Sequence, residues 1–214
     1  MIKEVCVENF TNVPLMIERG ANRIELNNDL TVGGTTPSFG VIKKTVEYAH
    51  KHDVPVIVMI RPRGGNFVYS ENELDIMIND IQICSLLDVD GVTFGCLTRE
   101  KHLDKRAMNR LLSVAHIGDL EVVMHMAFDE LTDVEQKETI DWLSKNSVKR
   151  ILTHGGPLNQ PISHTLDHLK ELVKQAKNKI EILPGGGITN KNIAEIIEQI
   201  HVDQVHGTKL LDRI

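Results

Sequence analysis

Eight short apolar segments recur along the chain, each closing on a polar or glycine-rich elbow. They are Ile2–Glu8, Arg23–Asn27, Val54–Arg61, Gly91–Leu97, Leu120–His125, Arg150–Gly155, Ile180–Gly185 and Gln204–Leu210. An amphipathic helical stretch separates most of them, so strand and helix alternate from end to end. Eight strands at this spacing predict a (β/α)8 TIM barrel, an α/β fold whose chemistry sits where the strands end. Helix starts are marked too. Ser70-Glu71-Asn72-Glu73 and Thr132-Asp133-Val134-Glu135 match the capping box, and Ser38, Asp104 and Thr189 are further N-cap candidates. Gly20 stands where the first helix should stop.

No linker or low-complexity tract divides residues 1–214, so one domain is expected. Few residues follow the eighth strand, and the eighth outer helix is expected to be missing. That would bare apolar strand surface between the first and seventh helices. Cover by a partner subunit or by the N-terminal helix is therefore predicted, and with it a homodimer or higher homo-oligomer.

Strands enclosed by helices should be apolar on both faces. Three strands break that rule on one side only. Val5 and Val7 alternate with Glu4, Cys6 and Glu8; Ile24 and Leu26 with Arg23, Glu25 and Asn27; Val205 with Gln204 and His206. The apolar set must face the helices, which turns the polar set into the barrel. The same register ends the third strand on Arg61, the fifth on His125 and the sixth on Thr153. His206, Cys6 or Glu8, Glu25 and Arg61 can then meet on one side, with His125 across the barrel. As a purely structural network, Arg61 would neutralise Glu25. As a functional one, Glu25, Arg61 and His125 are the catalytic candidates, since a structural barrel would fill these layers with Val, Ile and Leu.

Composition narrows the function classes. Net charge is -6 with basic residues scattered, which weighs against nucleic acid and anionic membranes. No early apolar run suits a signal or membrane helix, so a soluble, cytoplasmic protein is expected. Cys6, Cys84 and Cys96 are widely spaced, which disfavours a disulfide framework or structural zinc. Cys84 and Cys96 read as small buried residues. Cys6, beside inward carboxylates, is the thiol singled out for function.

Three elbows carry glycines, and two of them offer anion chemistry. Arg61-Pro62-Arg63-Gly64-Gly65 sets two arginines at a tight loop, suited to a carboxylate or phosphate. Gly33-Gly34-Thr35-Thr36-Pro37-Ser38 runs into a helix start. Gly185, Gly186 and Gly187 follow the seventh strand, where many barrels bind phosphate with help from the eighth, here His206. After the fifth strand, Met124-His125-Met126 suggests soft copper ligands, but alternation sends His125 and the methionines to opposite faces.

On these residues the sequence resembles the CutC family, described as copper homeostasis proteins. The motifs are Glu4-Val5-Cys6, Arg23-Ile24-Glu25-Leu26, Gly33 to Ser38, Ile60 to Gly65 with Tyr69, His125, Ala127-Phe128-Asp129, Leu152-Thr153, Pro184 to Thr189 and Val205-His206. The resemblance implies a cytoplasmic, often oligomeric TIM barrel with a role in copper binding or tolerance, and Cys6 as the metal ligand. Four positions depart from the family pattern. Asn27 replaces a cysteine proposed to bind Cu(I), Asn66 an aspartate, Met126 an arginine and His154 a serine. Two functions follow. One is copper handling, with Cu(I) held by Cys6 and assisted by Glu25, His206 or a methionine. The other is a barrel enzyme of lyase or isomerase type acting on a small carboxylated or phosphorylated anion. In it Arg61 and Arg63 clamp the ligand, Gly185–Gly187 cradle phosphate, and Glu25 and His125 exchange protons.

Overall fold

Two of the eight predicted segments are strands over their full length: β1 (Ile2–Glu8) and β2 (Arg23–Asn27). The others are shorter than their apolar runs: β3 (Val56–Met59), β4 (Gly91–Phe94), β5 (Glu121–Met124), β6 (Arg150–Thr153), β7 (Glu181–Pro184) and β8 (Gln204–Gly207). The computed structural model describes residues 1–211. The strands are parallel in the order β7-β6-β5-β4-β3-β2-β1-β8, a nearly closed TIM barrel.

Seven α-helices are present among the described residues: α1 (Val13–Glu18), α2 (Phe39–Ala49), α3 (Glu71–Leu86), α4 (Lys105–Ile117), α5 (Asp133–Lys145), α6 (Leu166–Ala176) and α7 (Ile193–Ile200). None of them follows β8, as the sequence pattern implied. At the strand expected to be bare there, the outward residue Val205 is nonetheless fully buried within the chain itself. Ser70 and Glu73 form the complete capping box at α3, while Ser38, Asp104 and Thr132 each accept an amide at their own helix start. Thr189 does not cap α7. The helix begins four residues later with Asn192 at its cap, and Thr189 lies in the turn before it.

Between β7 and β8 no ladder runs among the described residues. The seam is stitched at its two ends instead. Gln204 Nε2 donates to Glu181 Oε2 (3.0 Å) at the start of the strands, and Asn190 N donates to Lys209 O (2.9 Å) beyond them.

Inside, the barrel is divided. Ile57, Val123, Leu152 and Leu183 form an apolar cluster separate from the main core. The facing strands β8, β1 and β2 contribute Gln204, His206, Glu4, Cys6, Arg23, Glu25 and Asn27, all buried. Below, Arg23 pairs with Glu4 and donates to Gln204 Oε1 (2.9 Å), and Arg150 pairs with Glu121 (2.6 Å) and Glu181 (3.7 Å). Polar groups on one side of the interior and apolar groups on the other leave the reactive side chains gathered at one part of the mouth.

Candidate functional site

Strand register builds the site in two layers. Glu4 lies level with Arg23 on one neighbour and His206 on the other, and Cys6 lies level with Glu25. Glu4 accepts from Arg23 and lies 2.8 Å from His206 Nδ1. That contact turns the other ring nitrogen of His206 toward Glu25, 3.8 Å away. One ligand atom from each of Cys6, Glu25 and His206 lies within 4.8 Å of the others. Asn27 sits among them, its amide nitrogen 2.8 Å from Glu25 Oε2 and 3.4 Å from Cys6 Sγ. Gly34 is required beside it, because a Cβ there would collide with Asn27 Oδ1 and its φ is +88°.

Burial and charge divide the protons among these groups. Burial alone would raise Glu4, but His206 and Arg23 outweigh it and hold the carboxyl at about 2. Burial would likewise lower His206, and here Glu25 and Glu4 prevail and raise it. Glu25 is raised by burial, reinforced by Glu4 and opposed by His206 and Asn27. Burial pushes the Cys6 thiol well above its ordinary range, with Glu25 and Glu4 adding to the shift. The ionised Glu4 against the His206 imidazole is thus the fixed charge pair on which the upper layer rests.

Across the mouth, β5 ends at Met124 and His125 becomes the cap of a 3-10 turn, Met126–Glu130. Its Nδ1 accepts from Ala127 N (3.2 Å). Burial and the charge of Arg61 lower the imidazole to about 3, so it is neutral. The end of the strand also corrects the expected alternation. Met124 packs outward in the main core, but Met126 turns inward onto the apolar cluster.

Arg61 does not reach Glu25. Its Nη1 donates to Val32 O (2.9 Å) and Gly34 O (3.0 Å), and its Nη2 to Gly65 O (2.7 Å), so it ties two loops to the end of β3. Arg63 pairs with Glu73 and donates to Asn66 O (2.9 Å) and Val68 O (2.8 Å), closing its own loop outside the mouth. Glu8 also lies away from the cluster, accepting from Leu30 N (2.7 Å). Gly186 and Gly187 line the mouth with Thr189, Thr208 and Lys209, and the carbonyls of Gly185 and Gly186 lie 3.1 and 3.0 Å from His154 Nδ1. Thr153 donates to Asp129, whose carboxyl burial raises to about 6. Cys6, Glu25, Arg61, His125, Asp129 and His206 line a cavity of about 800 Å³, which Arg63, Glu8 and Gly185 do not reach. Cys84 and Cys96 are buried in the main core, and all three cysteines are free.

This arrangement can be set against known proteins. A family model described as the CutC family matches residues 1–211. The chain belongs to the CutC family. It is 50% identical over 211 residues to a family protein CutC of Enterococcus faecalis, covering 99% of this chain and 100% of that one. Against the human copper homeostasis protein cutC homolog, identity is 37% over 205 residues, or 96% of this chain and 72% of the relative. A solved CutC structure from Streptococcus agalactiae, 43% identical, superposes with a TM-score of 0.94 over 98% of this chain and 99% of that one.

Set within the CutC family, the position where a second thiol was expected holds the Asn27 amide, which links Cys6 to Glu25 instead of adding a sulfur donor. Sequence reasoning placed Glu4 and Arg23 inside the barrel but not against each other. It missed Phe67, whose ring lies 4.8 Å from both the Arg61 guanidinium and the His125 ring. The available signal was its place six residues after Arg61, in the loop that the Gly-rich elbow opens.

Proposed function

We propose that this CutC-family chain acts in copper homeostasis by holding Cu(I) in the barrel mouth through Cys6, Glu25 and His206. The observation that carries the reading is the convergence of a thiol, an imidazole and a carboxylate within 4.8 Å. A cysteine sulfur and an imidazole suit soft Cu(I). The contact from Glu4 to His206 Nδ1 is the outer-shell support typical of a metal-binding histidine, and it leaves the other nitrogen for the metal. The fit has one condition. Asn27 donates toward both Cys6 and Glu25, so the ion must displace that amide to reach them. The names of the human and mouse relatives as copper homeostasis proteins support the same role. Free, buried cysteines agree with a reducing cytoplasm.

A Cu(I) competition titration under reducing conditions tests the reading. Cys6→Ser should abolish tight binding, and Glu4→Gln should weaken it by about 10- to 100-fold through the second shell. Unchanged affinity in Cys6→Ser overturns the site.

A further inference from the structure

The mouth holds a second set of groups that copper does not use. Arg61 is buried, yet no ion pair joins it to a carboxylate among the described residues. Its guanidinium is held by the carbonyl oxygens of Val32, Gly34 and Gly65 and by the face of Phe67. Tyr69 beside it offers no countercharge, because burial raises its phenol and keeps it neutral. Arg61 Nε finds no acceptor among the described residues. A buried cation held by dipoles alone lacks its counterion, and burying it this way is costly unless something else supplies one.

His125 adds a donor of a different kind. Because Nδ1 accepts from Ala127 N, the neutral ring carries its proton on Nε2. That N–H has no acceptor among the described residues. Phe67 lies across both side chains, and Arg61, His125 and Phe67 all line the cavity of about 800 Å³, a size ordinary for small-molecule sites.

We propose that the mouth binds a small monocarboxylate bearing a second, neutral oxygen acceptor, with the carboxylate at Arg61 and the carbonyl or hydroxyl oxygen at His125 Nε2–H. One guanidinium offsets one negative charge. The neutral imidazole supplies a hydrogen bond but no charge, which favours a keto or hydroxy acid over phosphate. Phe67 shields both donors from water in the free protein and moves aside when the ligand enters. The site is separate from Cys6 and stands whether or not copper is bound there.

The test uses copper-free protein and three probes: pyruvate, propionate and inorganic phosphate. Calorimetry should show pyruvate binding about tenfold more tightly than propionate, which lacks the second acceptor, and more tightly than phosphate. In imidazole-detected NMR the His125 Nε2–H signal should shift with pyruvate in the wild-type protein. His125→Phe should reduce pyruvate affinity to the level of propionate, while Cys6→Ser binds pyruvate as the wild type does. That pattern separates this site from the copper cluster. Equal affinity for pyruvate and propionate, preference for phosphate, or a His125 signal unmoved by saturating pyruvate overturns the proposal. The NMR arm decides even if His125→Phe does not fold.

Discussion

Glu4 serves stability and the site through the same carboxylate. It compensates buried Arg23 on one neighbouring strand and orients His206 on the other. Removing one member of a buried pair costs more than replacing both, because the survivor keeps its desolvation penalty. Glu4→Gln should therefore destabilise the protein by about 3 kcal/mol in urea unfolding at neutral pH. The double variant Glu4→Met with Arg23→Met should lose less than Glu4→Gln alone. If it loses more, the pair contributes net stability beyond mutual compensation. Arg61 shows the opposite case. A single residue's sequence position identified it as inward and important, but not where its five donors would go. A long side chain reaches several loops from one Cα, and the Val32, Gly34 and Gly65 carbonyls come from elbows whose shape periodicity does not encode.

At the scale of elements, strand alternation was the most legible signal, because a period of two fixes every side chain once one face is assigned. It put Glu4, Cys6, Arg23, Glu25, Asn27, Gln204 and His206 inside without any structural information. It failed at β5, where the strand stops at Met124 and a 3-10 turn resets the phase, so Met126 faces in. The helix caps followed the same division: local side-chain chemistry was legible at Ser38, Ser70, Asp104 and Thr132, but a turn intervened at Thr189. The β7–β8 seam was not legible at all. Both strands there lack a ladder on one side, so their backbone bonds should open at lower cost than those of the interior strands. Hydrogen exchange should show faster exchange over 181–184 and 204–207 than over 56–59 and 91–94. Equal protection across all four segments would mean that the Gln204–Glu181 and Asn190–Lys209 bonds close the barrel as firmly as a ladder does.

For the whole molecule, the polar interior makes stability depend on pH in two opposing ways. His125 titrates near 3 in the fold and near 6.5 in an unfolded chain. Between those values only the unfolded chain binds the proton, so stability falls as pH falls, by up to about 1.4 kcal/mol per unit. Glu4, at about 2 against 4.5, acts in the same direction lower down: its contribution is present above pH 4.5 and is lost toward 2. Asp129 has the reverse sign. Its carboxyl is raised from 3.8 to about 6, so the folded state holds a proton the unfolded chain has lost, and stability falls as pH rises through that window. Across roughly pH 4 to 6 His125 and Asp129 therefore offset each other. Urea unfolding of single variants against the wild type over this range separates them, since groups elsewhere cancel in the difference. The deficit of His125→Gln should shrink as pH is lowered from 6.5, because the wild type is losing what the variant never had. The stability of Asp129→Asn relative to the wild type should rise as pH is raised from 4 to 6. Differences that stay constant across the range would show that neither group titrates out of its ordinary place. Differences that change with pH in the same direction would show that one of the two is not held in the protonation state its surroundings require.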